Sequence, residues 1–138
     1  MILGDNIFEE DLAKHIKTFK KGARVVAKKV HDPERFGVVE FDKNMKVLSV
    51  EEKPKKPKSN FIIPGFYICD NRVVQFAKTL KPSKRNELEI TDILKIYLKT
   101  GELDVRKITK EWIDAGTFDS LIRANQLAYK KLHKHLVI

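Results

Sequence analysis

One α/β domain with a mixed sheet is the architecture this 138-residue sequence predicts. Three observations lead to it. Short β-prone runs interleave with apolar stripes of helical spacing. Two alternating segments, residues 37–41 and 46–50, flank the turn formers Asp42-Lys43-Asn44, which reads as a hairpin inside the interleaved chain. No repeat, low-complexity stretch or long linker divides residues 1–138, so they form a single domain. A chain of this length buries about two-thirds of its unfolded surface.

The elements follow in order. After a short apolar start comes the turn signal Gly4-Asp5-Asn6. Phe8, Leu12, Ile16 and Phe19 then share one helical face, and Gly22 is placed to close that helix. Residues 23–27 read as a strand. The hairpin follows, with Leu48, Val50 and Glu52 pointing to one side of its second strand. Residues 61–69 form a strand region that Pro64-Gly65 interrupts, which predicts a bend. Asp70 or Asn71 can cap a helix carrying Val73, Phe76, Ala77 and Leu80, ended by Pro82. Ile90, Ile93, Leu94, Tyr97 and Leu98 set a second helix, with Asn86 and Glu89 spaced as a capping box and Gly101 as its stop. Residues 103–108 suit a strand, and a last helix starts near Thr117.

Composition bounds the function. Hydrophobic residues make up 42% and charged residues 34%, an ordinary folded composition. No apolar run reaches the roughly 20 residues of a membrane helix, and Met1 to Asp5 lack the pattern of a secretory leader. With one cysteine, Cys69, no intrachain disulfide forms. A buried structural thiol and a reducing, cytoplasmic setting are expected. The net charge of +9 suits an anionic partner. The basic residues are scattered, without the aromatic interleaving of a nucleic-acid surface, so neither nucleic acid nor membrane is the expected partner. His15, His31, His133 and His135 show no zinc spacing.

Four places carry more than scaffold chemistry. Asp5 follows an apolar strand, at the sheet edge where α/β folds bind ligands; a turn former or helix cap is the alternative reading. Glu52 and Lys53 offer a carboxylate for hydroxyls and an ammonium for phosphate, or else an exposed strand end. Arg85 precedes a helix and can meet an anion or simply solvent. Trp112 and Asp114 share a side if extended. Asp114 could join Asp5 around a hard cation such as magnesium, or cap a helix.

In this order, these places resemble the glucose-1-phosphate thymidylyltransferase family of sugar nucleotidyltransferases. The matching stretches are LGDNIF, DPERFGVVEFD, EEKPKKPKSN, GFY, LKPSKRNELEITD and WIDAGTFDSL, which begin at Leu3, Asp32, Glu51, Gly65, Leu80 and Trp112. The resemblance implies a Rossmann-like, nucleotide-diphospho-sugar transferase fold lacking the N-terminal, nucleotide-binding half. It implies the reaction of dTTP with glucose 1-phosphate to give dTDP-glucose and pyrophosphate. Asp5 and Asp114 match magnesium-binding aspartates. Gly37, Glu52, Lys53 and Ile63 match the sugar-phosphate pocket, Trp112 its edge, and Arg85 a catalytic arginine facing the phosphates. Pro64 stands where threonine is usual and Asn86 where glycine is usual. The expected partners are a sugar 1-phosphate, a nucleoside triphosphate once a nucleotide-binding half is supplied, and further copies of the chain in a homo-oligomer. A split subunit or gene fragment acting as a non-catalytic binding module is the alternative.

Overall fold

A computed structural model describes residues 1–133. Eight strands and four α-helices alternate as expected for an α/β domain: β1 (Asn6–Phe8), α1 (Ala13–Lys17), β2 (Ala23–Lys29), β3 (Gly37–Phe41), β4 (Val47–Glu52), β5 (Phe61–Ile62), β6 (Tyr67–Cys69), α2 (Val73–Thr79), α3 (Ile90–Lys99), β7 (Leu103–Lys107), β8 (Trp112–Asp114) and α4 (Phe118–His133). The main sheet runs β4-β3-β5-β2-β6, with β7 also paired to β2. The β2–β7 pair is parallel and the others antiparallel, so the sheet is mixed. β1 and β8 form a separate two-stranded antiparallel ribbon.

β2 is the centre of the fold because its middle run Val25-Val26-Ala27 is apolar on both faces, as a strand covered on both sides requires. Val25, Val26 and Ala27 are fully buried. α3 lays Ile93, Leu94 and Tyr97 over that sheet, and these join Val25, Val39, Val50 and Val105 in the main core. The Tyr97 ring meets Phe76 edge-on at 5.1 Å, and its hydroxyl donates to Asp70 at 3.0 Å. Gly22 enters β2 at φ +83°; a Cβ there would lie 2.2 Å from the Glu102 carbonyl oxygen, so only glycine fits.

The hairpin, the Pro64-Gly65 break between β5 and β6, the Gly101 stop and the last helix all stand where the sequence placed them. Four local readings change. The helix expected from Phe8 to Phe19 contracts to Ala13–Lys17, because Phe8 pairs instead with Trp112 across the ribbon. The capping box is not made. Glu89 begins α3 without a side-chain cap, and its carboxylate accepts from the Ser83 hydroxyl at 2.8 Å. Asn86 sits in the preceding turn at φ +59°, which asparagine tolerates. Likewise Arg72, not Asp70 or Asn71, occupies the cap position of α2, while Asp70 holds the Gly22 amide and the Tyr97 hydroxyl. Finally, Leu48 is exposed while Val47 and Val50 are buried. A register shift between Glu40 and Phe41 breaks the strict alternation.

Cys69 is half-buried, and burial raises its thiol above the usual range, consistent with a structural role. Arg24 is a buried charge used as a staple. It donates to Asp104 on β7 and to the His15 carbonyl and Thr18 hydroxyl at the end of α1. Since α1 is too short to hold itself, Arg24→Ala should destabilise the fold by about 2–3 kcal/mol in urea unfolding, the scale of lost hydrogen bonds to a charged group.

Candidate functional site

Residues 1–3 lie along residues 65–67. Leu3 N–H donates to the Gly65 carbonyl and Tyr67 N–H to the Met1 carbonyl, both at 2.9 Å. The short apolar start is thus tied on one side. It leads into the ribbon, where Asn6 faces Asp114 and the Ala115 amide donates to the Asp5 carbonyl at 2.7 Å. Two carboxylates from the two ends of the chain, Asp5 and Asp114, therefore arrive at one crevice. The space is about 600 Å³, and its walls include Gly37, Glu52, Lys53, Ile63 and Trp112. Neither aspartate forms an ion pair with a cation among the described residues.

Asn6 organises this end. Its Oδ1 accepts from the Trp112 indole N–H at 2.7 Å and from the Gly65 amide at 2.9 Å, while its Nδ2 donates to Asp5 at 2.8 Å. A Cβ on Gly65 would lie 2.8 Å from the Asn6 carboxamide, so the close approach requires glycine. Trp112 is further braced edge-on by Phe36 at 5.5 Å. Sequence reasoning did not single out Asn6 as a site residue; its adjacency to Asp5 at a strand edge was the available signal.

The other wall comes from the hairpin. β3–β4 register sets Gly37 opposite Glu52, and the missing side chain opens the crevice there: a Cβ on Gly37 would lie 3.4 Å from Glu52 Oε2 and 3.1 Å from Thr91 Cγ2. The Ile63 amide donates to the Gly37 carbonyl at 2.7 Å, closing the wall. Lys53 leaves the strand at φ +39°, its amide bonded to the Phe36 carbonyl at 3.0 Å, and its side chain is exposed at the mouth. Burial, and next the nearby Glu89 carboxylate, push the Glu52 carboxyl above its ordinary value, while Thr91, Lys53 and Arg85 pull it back. The Thr91 hydroxyl is buried and meets no partner at hydrogen-bond geometry, so its pull is weak. Tyr67, also in the lining, has its phenol pushed up to about 12 by burial and stays neutral.

Arg85 is the one sequence-selected residue that does not line this crevice. It lies in a neighbouring hollow with Glu51, Ser83 and Lys95. Its guanidinium pairs with Glu87 and comes within 3.7 Å of Glu52 and 3.9 Å of Glu89. Glu89, taken from the sequence as a cap, instead lines the crevice and adds negative charge beside Glu52. The site thus presents hydroxyl acceptors and one exposed ammonium on one wall, and two carboxylates without a cationic partner among the described residues, with a braced indole, on the other. A polyhydroxylated anion with a divalent cation fits that donor set.

The profile of the nucleotidyl transferase family matches residues 1–131. The chain belongs to the nucleotidyl transferase family. Among curated relatives, the chain is 49% identical over 130 residues to a glucose-1-phosphate thymidylyltransferase of Neisseria gonorrhoeae, a match covering 90% of this chain and 45% of the relative. It is 45% identical to the Mycolicibacterium smegmatis protein of the same name, covering 91% and 45%. A Bacillus anthracis structure assigned as a glucose-1-phosphate thymidylyltransferase, in complex with a sucrose, superposes with a TM-score of 0.82 at 50% identity, over 92% of this chain and 52% of that one. A UDP-glucose pyrophosphorylase complexed with UDP-glucose superposes with a TM-score of 0.80 at 23% identity, over 94% and 55%, which shows a shared fold. The chain spans about half the length of the curated relatives it matches. No described helix is long and apolar enough to cross a membrane.

Proposed function

We propose that this chain supplies the sugar-1-phosphate and divalent-cation side of a glucose-1-phosphate thymidylyltransferase. The observation that carries the reading is convergence: Asp5, Gly37, Glu52, Lys53, Ile63, Trp112 and Asp114, drawn from distant stretches of sequence, line one crevice. Glu52 accepts from sugar hydroxyls and Gly37 leaves room for the ring. Lys53 takes the phosphate at the mouth; Arg85, which the resemblance assigns to the phosphates, lies beside the crevice with its guanidinium 3.7 Å from Glu52 and would have to leave Glu87 to reach them. Asp5 and Asp114 would hold magnesium, which typically takes one or two protein carboxylates and completes its shell with phosphate oxygens and water. When bound, the cation neutralises charge on the reacting phosphates. In the transfer itself a sugar-phosphate oxygen bonds to the α-phosphorus of dTTP and the bond to the leaving pyrophosphate breaks. The protein's share is positioning and charge compensation.

A second reading, binding without turnover by this chain alone, is favoured by the match to only 45% of the relatives' length. Both readings require the same sugar-phosphate pocket. Isothermal titration of the chain with glucose 1-phosphate and magnesium should therefore show saturable binding, and Glu52→Ala should weaken it roughly ten- to a hundredfold, the loss of a charged hydrogen-bond acceptor. Equal affinity in the two proteins would place the pocket elsewhere.

A further inference from the structure

Both polar atoms of the Asn6 side chain are committed, and they serve opposite sides of the crevice. Oδ1 accepts from the Trp112 indole and the Gly65 amide, while Nδ2 donates to Asp5 Oδ1. A carboxamide is planar, so two donors on its oxygen also fix where its nitrogen points. Asn6 follows Asp5 in the chain and stands opposite Asp114 in the β1–β8 register. It is thus joined to one aspartate, faces the other, and holds the indole and the turn at Gly65.

The two aspartates are held alike. Asp5 Oδ1 accepts from Asn6, and Asp114 Oδ1 accepts from the Gly116 amide at 3.1 Å. The second oxygen of each has no hydrogen-bond or ion-pair partner among the described residues. Two carboxylates with one uncommitted oxygen apiece suit magnesium, which binds through one or two carboxylates and keeps several waters.

We propose that Asn6 is a positioning residue that couples the cation side of the crevice to its sugar side. The inference rests on the sugar-phosphate and cation reading above and names the residue through which the two ligands act on one another. Asn6 works through its neighbours. With a cation held by Asp5 and Asp114, Asn6 is restrained from both sides, and the indole bonded to it is restrained before any sugar arrives. With the sugar phosphate bound first, the indole is restrained, and through Asn6 so is the Asp5 carboxylate. The two effects are equal in free energy, as linkage requires. Without the carboxamide the ribbon register still brings both aspartates to the crevice, but the indole and the carboxylate turn independently.

Trp112 is the only tryptophan in the chain, so tryptophan emission reads this indole alone. Magnesium added without sugar phosphate should change the emission of the wild-type protein and protect it from quenching by acrylamide. Asn6→Ala should keep the circular dichroism spectrum and still bind magnesium by calorimetry, yet give an indole that quenches more readily and ignores the cation. Magnesium should also tighten glucose 1-phosphate binding to the wild type, and Asn6→Ala should cut that gain at least about fivefold, the lower end of ordinary coupling between sites. Trp112→Phe keeps a ring against Phe36 and removes the indole N–H. It should cut the gain by the same factor, and the double variant should cut it no further. Wild-type protein that binds neither magnesium nor glucose 1-phosphate overturns the site reading and this inference with it. Wild-type protein that binds both, with an indole response that survives in Asn6→Ala, overturns the coupling alone. So does a gain left intact by Trp112→Phe, whether or not Asn6→Ala folds.

Discussion

Purified alone and mixed with dTTP, glucose 1-phosphate and magnesium, the chain is expected to release no pyrophosphate above background. The reason is charge. Phosphoryl transfer asks the protein to hold a triphosphate in line and neutralise it, and each missing donor to the developing charge costs about 10²–10³ in rate. The crevice lining has two cationic side chains, Arg35 and Lys53, against the carboxylates Asp5, Glu52, Glu89 and Asp114. Arg35 is already engaged with Asp32 at 2.8 Å. Arg85 is held by Glu87 with Glu52 and Glu89 close by. One free ammonium suits the single phosphate of a sugar 1-phosphate and falls far short of a triphosphate. The chain matches about half the length of the curated relatives. Turnover in the ordinary range of about 1–10³ per second would show a nucleotide site within these residues and end the half-site reading.

The order of elements was legible because each was announced locally. Turn formers marked the hairpin, Pro64-Gly65 marked the bend, and the apolar spacing of Ile90, Leu94 and Leu98 marked α3. What escaped was set by contacts between distant residues. β1 is three residues long and forms only because Trp112 and Asp114 come back to pair with it more than a hundred positions later. Its formation in turn strips Phe8 from the helix that periodicity assigned. Glu89 has capping spacing, yet the Ser83 hydroxyl and burial beside Glu52 claim its carboxylate instead. The site residues themselves were individually ambiguous, and spacing alone left each with a bland reading. Family resemblance chose among those readings, and the ribbon and hairpin then brought seven of them to one crevice. Arg85 and Asn6 mark the two limits: side-chain direction decides the first, and three hydrogen bonds to one carboxamide reveal the second.

Replacing Glu52 by glutamine should separate function from stability. The folded state raises the pKa of this carboxyl above its ordinary 4.5, through burial first and Glu89 second. Between the ordinary and the raised value the folded protein keeps a proton that the unfolded chain has released. Stability contributed by this group therefore falls as pH rises through that window, and above it the folded protein carries a buried charge at constant cost. Glutamine keeps the shape and removes the charge. Glu52→Gln should thus melt at a higher temperature than wild type near pH 7, and the gap should close as the pH drops below about 4.5, where wild type is protonated in both states. Binding should move the other way. A neutral carbonyl accepts a sugar hydroxyl more weakly than a carboxylate, so affinity for glucose 1-phosphate near pH 7 should fall about tenfold. Thermal melts and titrations of both proteins across about pH 4 to pH 8 check both halves. A variant that is less stable at neutral pH would mean that Arg85 and Lys53 outweigh burial and Glu89, leaving Glu52 as a structural ion-pair partner and not a carboxylate held under strain for its ligand.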